Sequence, residues 1–147
     1  MIKRIHDGYI YLTAVILFVT ALVKLSSTTG NAPILDWLDP LLPFSNRQVF
    51  IMGSALELGL SAFLFLGKER GAKTACIAWL ASIYLIYRLG LWWAGAPNLC
   101  HCLGNLNARF PISPPALERI VWALLGWLVV GSLGFSVLQW FRDRKTT

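Results

Sequence analysis

The residues best equipped for chemistry in this sequence are Cys100 and Cys102, which bracket His101 in the stretch Ala96-Pro97-Asn98-Leu99-Cys100-His101-Cys102-Leu103-Gly104-Asn105. Two cysteines one residue apart close a very small ring when bonded. Such a ring departs from relaxed disulfide geometry and is more easily reduced than a structural bridge. A static staple gains most from closing a long loop, and this pair closes almost none. Reversible dithiol–disulfide exchange therefore explains the spacing better than stability does, with a nearby cation favouring the attacking thiolate. Two other readings stay open on the residues alone. Cys100-His101-Cys102 offers soft metal ligands, but adjacent residues alternate in direction and no second Cys/His cluster completes a tetrahedral set, so no metal is expected. Two inert loop thiols fit poorly in an oxidising compartment. His101 is a candidate proton carrier beside the thiolate, against the plainer reading of a solvated loop histidine. Cys76 lies about a membrane thickness from Cys100 if a helix joins them, and reads as a small buried apolar residue.

Glu57 and Arg88 are charges set inside long apolar stretches, where each costs about 2.5–3.5 kcal/mol at a helix centre if left alone. Counted along a helix, Glu57 lies ~12 Å from Val49 and Arg88 ~8 Å from Trp93. Those depths differ by about 4 Å, which an arginine side chain spans. A Glu57–Arg88 pair, or a shared polar pocket, is expected beneath the cysteine loop, and an ion pair that only locks the helices is the plainer alternative. Tyr84, Arg88 and Trp92 recur at i, i+4 and i+8 on one helix face, combining flat aromatic surface with hydrogen-bond donors. Lys24, at the end of another apolar run, is expected to snorkel to lipid headgroups, the alternative being that it adds positive charge beside this aromatic face. His6, beside Lys3 and Arg4, reads as interfacial.

Composition sets the elements that must position these groups. The 147 residues are 56% hydrophobic and 14% charged, with 7 Trp and a mean hydropathy of +0.61, against roughly 45–50% apolar and about 25% charged in soluble domains. That excludes disorder and leaves a soluble fold without enough polar surface to face water. Four apolar runs, 9–25, 49–66, 74–94 and 120–141, each approach the ~20 residues of a spanning helix. The first follows Lys3 and Arg4, but no small-x-small cleavage pattern closes it, so it is read as a retained helix. A net charge of +6 and a pI near 9.6 would suggest nucleic acid in a soluble protein. Here the bases sit at the ends of the apolar runs, and no nucleic-acid partner is expected.

Lys3 and Arg4, then Lys68, Arg70 and Lys73, then Arg142, Arg144 and Lys145 fall on one side of the expected spans, whereas the other side carries Arg47, Arg109 and Arg119. Both termini are therefore expected to be cytoplasmic. The short turn at 67–71 makes a hairpin of the second and third helices, and the loop at about 95–115 faces the oxidising side. Trp92, Trp93 and Trp140 fall at the expected water interfaces. Gly126, Val130 and Gly134 share a face of the last helix, and Gly53 precedes Glu57 by one turn, a pattern that favours close helix approach. The expected fold is an all-α integral membrane protein, one four-transmembrane-helix bundle spanning residues 1–147.

A four-helix membrane chain of this size carrying Cys100-His101-Cys102-Leu103-Gly104 resembles the methylamine-utilisation MauE group within the DoxX-like redox-associated membrane proteins. Leu103 stands where phenylalanine is frequent in that motif, and His101 where a small residue is often found. The resemblance implies a multi-pass protein of the bacterial inner membrane, a redox-active Cys100–Cys102 disulfide facing the periplasm, and a periplasmic thioredoxin-like partner. It also implies a design similar to the four-helix quinone-linked disulfide generators. A headgroup of ubiquinone or menaquinone needs an apolar wall to stack on and a donor for its carbonyl, which Tyr84, Arg88 and Trp92, with Glu57 nearby, are placed to supply. Such generators usually relay between two cysteine pairs, and this chain has one, so either a partner shuttles electrons or the loop reacts with the quinone directly. The functional expectation is a membrane thiol–disulfide oxidoreductase. The alternative is a non-catalytic assembly or maturation factor, or a metal-binding protein, using the same loop. A small transporter or channel is disfavoured because no discontinuous-helix signal is present.

Overall fold

The computed structural model describes residues 2–29, 35–95 and 114–143. They form α1 (Ile2–Thr28), α2 (Asn46–Leu66), α3 (Arg70–Trp93) and α4 (Pro114–Asp143). By length and composition, all four contain stretches able to cross a membrane. Each helix begins several residues before its apolar run, because helical hydrogen bonding continues through polar flanking residues that hydropathy alone leaves out. Ser45 starts α2 with a capping box. Its hydroxyl accepts from the Gln48 amide at 3.4 Å, and the Gln48 side chain accepts from the Ser45 amide at 3.1 Å, so two orphan donors are satisfied. Pro114 and Pro115 open α4, where a missing N–H costs nothing.

Helix α1 packs closely along α2, and α3 along α4, while the two pairs meet more sparsely. The close α1–α2 seam follows from side-chain size. Ala14, Leu17, Ala21 and Lys24 are buried on α1, and Ser54, Glu57, Ser61 and Leu64 on α2. Both sets run i, i+3, i+7, i+10, the inward positions of a packed helix pair, and their small members let the backbones approach. The Ser61 hydroxyl donates across the seam to the Ala14 carbonyl at 2.8 Å.

The α4 glycines at 126 and 134 play no part in close packing. A Cβ on Gly126 or Gly134 would meet nothing within 4 Å, and Val130 faces outward. Gly53 is not at a close crossing either, since a Cβ there would lie 4.0 Å from the Tyr84 hydroxyl. Gly131 is the close approach on α4, where a Cβ would sit 2.2 Å from the Tyr9 ring. Tyr9 donates to the Leu128 carbonyl at 3.2 Å and lies 5.5 Å from the Trp127 ring and 5.2 Å from that of Phe135.

The bundle is solid in one half and hollow in the other. Tyr9, Ile10, Leu64, Ile77, Leu80 and Leu128 belong to one core cluster, in the half that holds the α1 N-terminus and the α2–α3 turn. There Arg70 grips Asp7 with two hydrogen bonds at 2.7 and 2.9 Å. His6 is buried, bonded to Thr74 at 2.8 Å and stacked on Phe135 at 4.5 Å. Its place one turn before Tyr9 and Ile10 puts it on the inward stripe of α1.

At the opposite end, residues 35–45 fold into a cap. The Asp39 amide bonds the Phe44 carbonyl and the Asn46 amide bonds the Trp37 carbonyl, both at 2.9 Å. The Asp39 carboxylate takes the Leu41 and Leu42 amides at 2.8 and 3.0 Å and the hydroxyl of Tyr87. Arg47 donates to the Thr28 carbonyl at 3.0 Å. Leu41 lies so close to Gly90 that a Cβ there would come within 2.8 Å of it.

Candidate functional site

Beneath the cap, the two helix pairs enclose a cavity of about 300 Å³. It is lined by Thr20 and Lys24 of α1, Val49, Phe50, Gly53 and Glu57 of α2, Tyr84, Tyr87 and Arg88 of α3, Leu124 and Leu125 of α4, and Leu42 of the cap, among others. Most of the wall is apolar. Met52 and Leu56 also line it and are well exposed, so the cavity is open alongside α2.

The polar part of the wall centres on Glu57, which is 2% exposed. Its Oε1 accepts from Lys24 Nζ at 2.5 Å and from the Tyr84 hydroxyl at 2.6 Å, and its Oε2 accepts from the Thr20 hydroxyl at 3.2 Å. Lys24 Nζ lies 3.5 Å from the Tyr84 hydroxyl and 4.9 Å from the centre of its ring. Charges taken out of water cost several kcal/mol each, and only close geometry with further hydrogen bonds offsets that cost. Glu57 has both.

The expected Glu57–Arg88 pair does not form. Lys24 takes the carboxylate, while Arg88 donates to Glu118 at 2.9 Å and lies 5.6 Å from the Trp122 ring. Equal depth is not equal azimuth: Lys24 shares the close α1–α2 seam with Glu57, whereas Arg88 turns toward α4. The shared pocket does form, since both residues line the cavity.

Lys24 is only 7% exposed and does not snorkel. Helix side chains lean toward their own N-terminus, so a lysine in the last turns of α1 leans into the bundle. The stripe Ala14, Leu17, Ala21, Lys24 was a readable sign that position 24 faces inward. Trp92 is 73% exposed and is not among the lining residues. Eight residues turn a helix about 80° past the starting face, which carries Trp92 off the face that Tyr84 and Arg88 share. Tyr87, unforeseen, lines the cavity and anchors the cap through Asp39.

Cys100, His101 and Cys102 lie outside the described residues. Helix α3 ends at Trp93, and the described residues stop at Gly95 and resume with α4 at Pro114, both at the cavity end of the bundle. Gly95 has φ +73°, a conformation that glycine adopts without strain. Cys76 is half-buried, less enclosed than expected. Among the described residues no group of His, Cys, Asp and Glu is arranged to hold a metal ion.

Comparison with family models, curated proteins and solved structures finds no match to this chain. The functional reading therefore stands on the cysteine loop and the cavity.

Proposed function

We propose that the chain is an integral membrane thiol–disulfide oxidoreductase linked to quinone, seated in the bacterial inner membrane with both termini cytoplasmic and the Cys100-His101-Cys102 loop in the periplasm. The observation that carries this reading is the cavity. It is largely apolar, laterally open, furnished with buried donors, and set in the half of the bundle where Gly95 and Pro114 lie. The membrane part is supported by an outer surface of Phe18, Leu22, Ile86, Val130 and Leu133, all well exposed, which suits lipid rather than water. The orientation is supported by the Asp7–Arg70 pair, which gathers the basic N-terminus and the basic α2–α3 turn at one end.

A quinone headgroup fits the residues present. A volume of about 300 Å³ is at the small end of ligand pockets, and the open side at Met52 and Leu56 leaves room for an isoprenoid tail. Lys24 has three N–H groups and Arg88 five. Lys24 gives one to Glu57 and directs another at Tyr84, and Arg88 gives one to Glu118, so both retain donors for carbonyl oxygens. Bound quinone supplies an acceptor for two electrons and two protons, the number that two thiols release on joining as a disulfide. In this reading Lys24, Tyr84 and Arg88 bind and orient the ring, Glu57 holds Lys24 in place, and the apolar wall excludes water.

At the loop, a thiolate of a periplasmic thioredoxin-like partner attacks one sulfur of the Cys100–Cys102 bond and displaces the other as a thiolate. The resulting mixed disulfide is resolved by the partner's second thiol. His101, which stands between the two cysteines in the sequence, would carry a proton for the leaving sulfur. The cycle runs in either direction according to the potentials of partner and quinone.

Redox titration with alkylation of Cys100 and Cys102 tests this. Reversible loss of both thiols within the physiological range of potential supports the reading. Stable metal in the reduced protein with no turnover would replace it with the assembly-factor reading. A membrane-impermeant thiol reagent should label both cysteines in intact cells after mild reduction, and labelling in inverted vesicles alone would overturn the orientation.

A further inference from the structure

We infer that the cavity selects an uncharged lipid over an anionic one, and that Glu57 sets this preference. The inference deepens the proposed function, resting on its reading of the cavity as a lipid-ligand site, and it names the ligand's charge class. Two cations line the wall, Lys24 and Arg88. Unpaired, such a pair would draw in a fatty-acid carboxylate or a lipid phosphate. Neither is unpaired. Lys24 is matched by Glu57 at 2.5 Å and Arg88 by Glu118 at 2.9 Å.

The two matches differ in depth. Glu118 is half-exposed at the end of the bundle, so its pair with Arg88 is less enclosed than that of Lys24 with Glu57. Glu57 is buried, and its oxygens also take the hydroxyls of Tyr84 and Thr20. An anionic headgroup reaching Lys24 would meet the Glu57 carboxylate in a region of low dielectric, where like charges repel strongly. A neutral acceptor oxygen takes a remaining N–H of Lys24 without disturbing the ion pair. The carboxylate thus turns a cationic pocket into one that donates hydrogen bonds while carrying little net charge.

Glu57→Gln keeps the side chain's shape and one oxygen for the Tyr84 hydroxyl, turns an amide N–H toward the Thr20 oxygen, and releases the charge of Lys24. Three radiolabelled probes separate the possibilities when bound to the purified full chain in nanodiscs, with empty nanodiscs as the blank: methyl dodecanoate, dodecanoate and a decyl-substituted benzoquinone. The wild-type protein should bind the ester about tenfold or more tightly than the carboxylate. Glu57→Gln should reverse that order, and Glu57→Gln with Lys24→Gln should abolish the gain for dodecanoate.

Wild-type protein that binds dodecanoate as tightly as the ester overturns the inference, and so does a folded Glu57→Gln protein without the reversal. If Glu57→Gln does not fold, the wild-type ratio decides alone. Ester selectivity without benzoquinone binding keeps this inference and removes the quinone reading. Benzoquinone binding without charge discrimination does the opposite. Failure of all three probes to bind removes both.

Discussion

Replacing Lys24 with methionine removes the cation and keeps most of the length of the side chain, and the burial of its partner sets the cost. Glu57 is 2% exposed and Lys24 7%, and their charged atoms are 2.5 Å apart. Without Lys24 the carboxylate keeps the hydroxyls of Tyr84 and Thr20 but stays buried with no opposite charge among the groups that bond it. Breaking a buried pair by removing one partner costs about 3–5 kcal/mol. An interhelical hydrogen bond in a membrane protein averages only about 0.6 kcal/mol, so a buried ion pair and an ordinary polar contact are well separated in energy. Lys24→Met should therefore destabilise the protein by about 3 kcal/mol or more. Lys24→Met with Glu57→Leu, which leaves no charge behind, should recover most of that loss. Reversible unfolding in micelles of the two single variants and the double variant, read as a double-mutant cycle, gives the coupling directly. A coupling within about 0.5 kcal/mol of zero would refute the view that Lys24 and Glu57 act as one buried unit.

Three further outcomes are expected. Gly131→Ala should destabilise by about 1–3 kcal/mol through overpacking, because its Cβ meets the Tyr9 ring at 2.2 Å, whereas Gly134→Ala, in open space, should be neutral or stabilising by about 0.5–1 kcal/mol; melting curves of the two variants compare them. Tyr87→Phe removes the hydroxyl that anchors Asp39, so the Leu41 and Leu42 amides should exchange with solvent faster than in the wild type while core amides near Leu80 stay protected, as read by hydrogen exchange. Cys100→Ser and Cys102→Ser should each abolish thiol-linked turnover, and Cys76→Ser should retain it, as followed by quinone absorbance.

Much of the fold was legible because the four helices, long and apolar enough to cross a membrane, are written in long apolar runs with bases at their ends. What hydropathy missed were the polar extensions: Ser45 and Gln48 begin α2 through a capping box, and Arg70 starts α3 while still in the charged turn. Glu57, Tyr84 and Arg88 line one cavity and Trp92 does not, so a shared pocket was legible only in part. Its wiring was not. Depth along a helix is one coordinate, and partner choice depends on the angle around the axis as well. The missing angle was available in the stripe from Ala14 to Lys24, whose inward period marks the lysine as buried. Small residues misled for a related reason: Gly126 and Gly134 share a face, but that face looks outward, and Gly131 beside them makes the close approach to Tyr9. The irregular cap at 35–45 carries no period at all, since its order comes from Asp39 bonding nearby amides and a tyrosine on α3.

Whether the cysteine loop and the cavity form one redox unit is decided by anaerobic mixing of the purified protein with a decyl-substituted benzoquinone or its quinol. Quinone absorbance and the alkylation state of Cys100 and Cys102 are followed in the same sample. A single unit should give matched change in at least one direction: one quinone reduced for each Cys100–Cys102 disulfide formed, or one quinol oxidised for each disulfide reduced, with Lys24→Gln slowing the exchange. Cysteines that cycle with small thiol reagents while neither quinone nor quinol changes would contradict it.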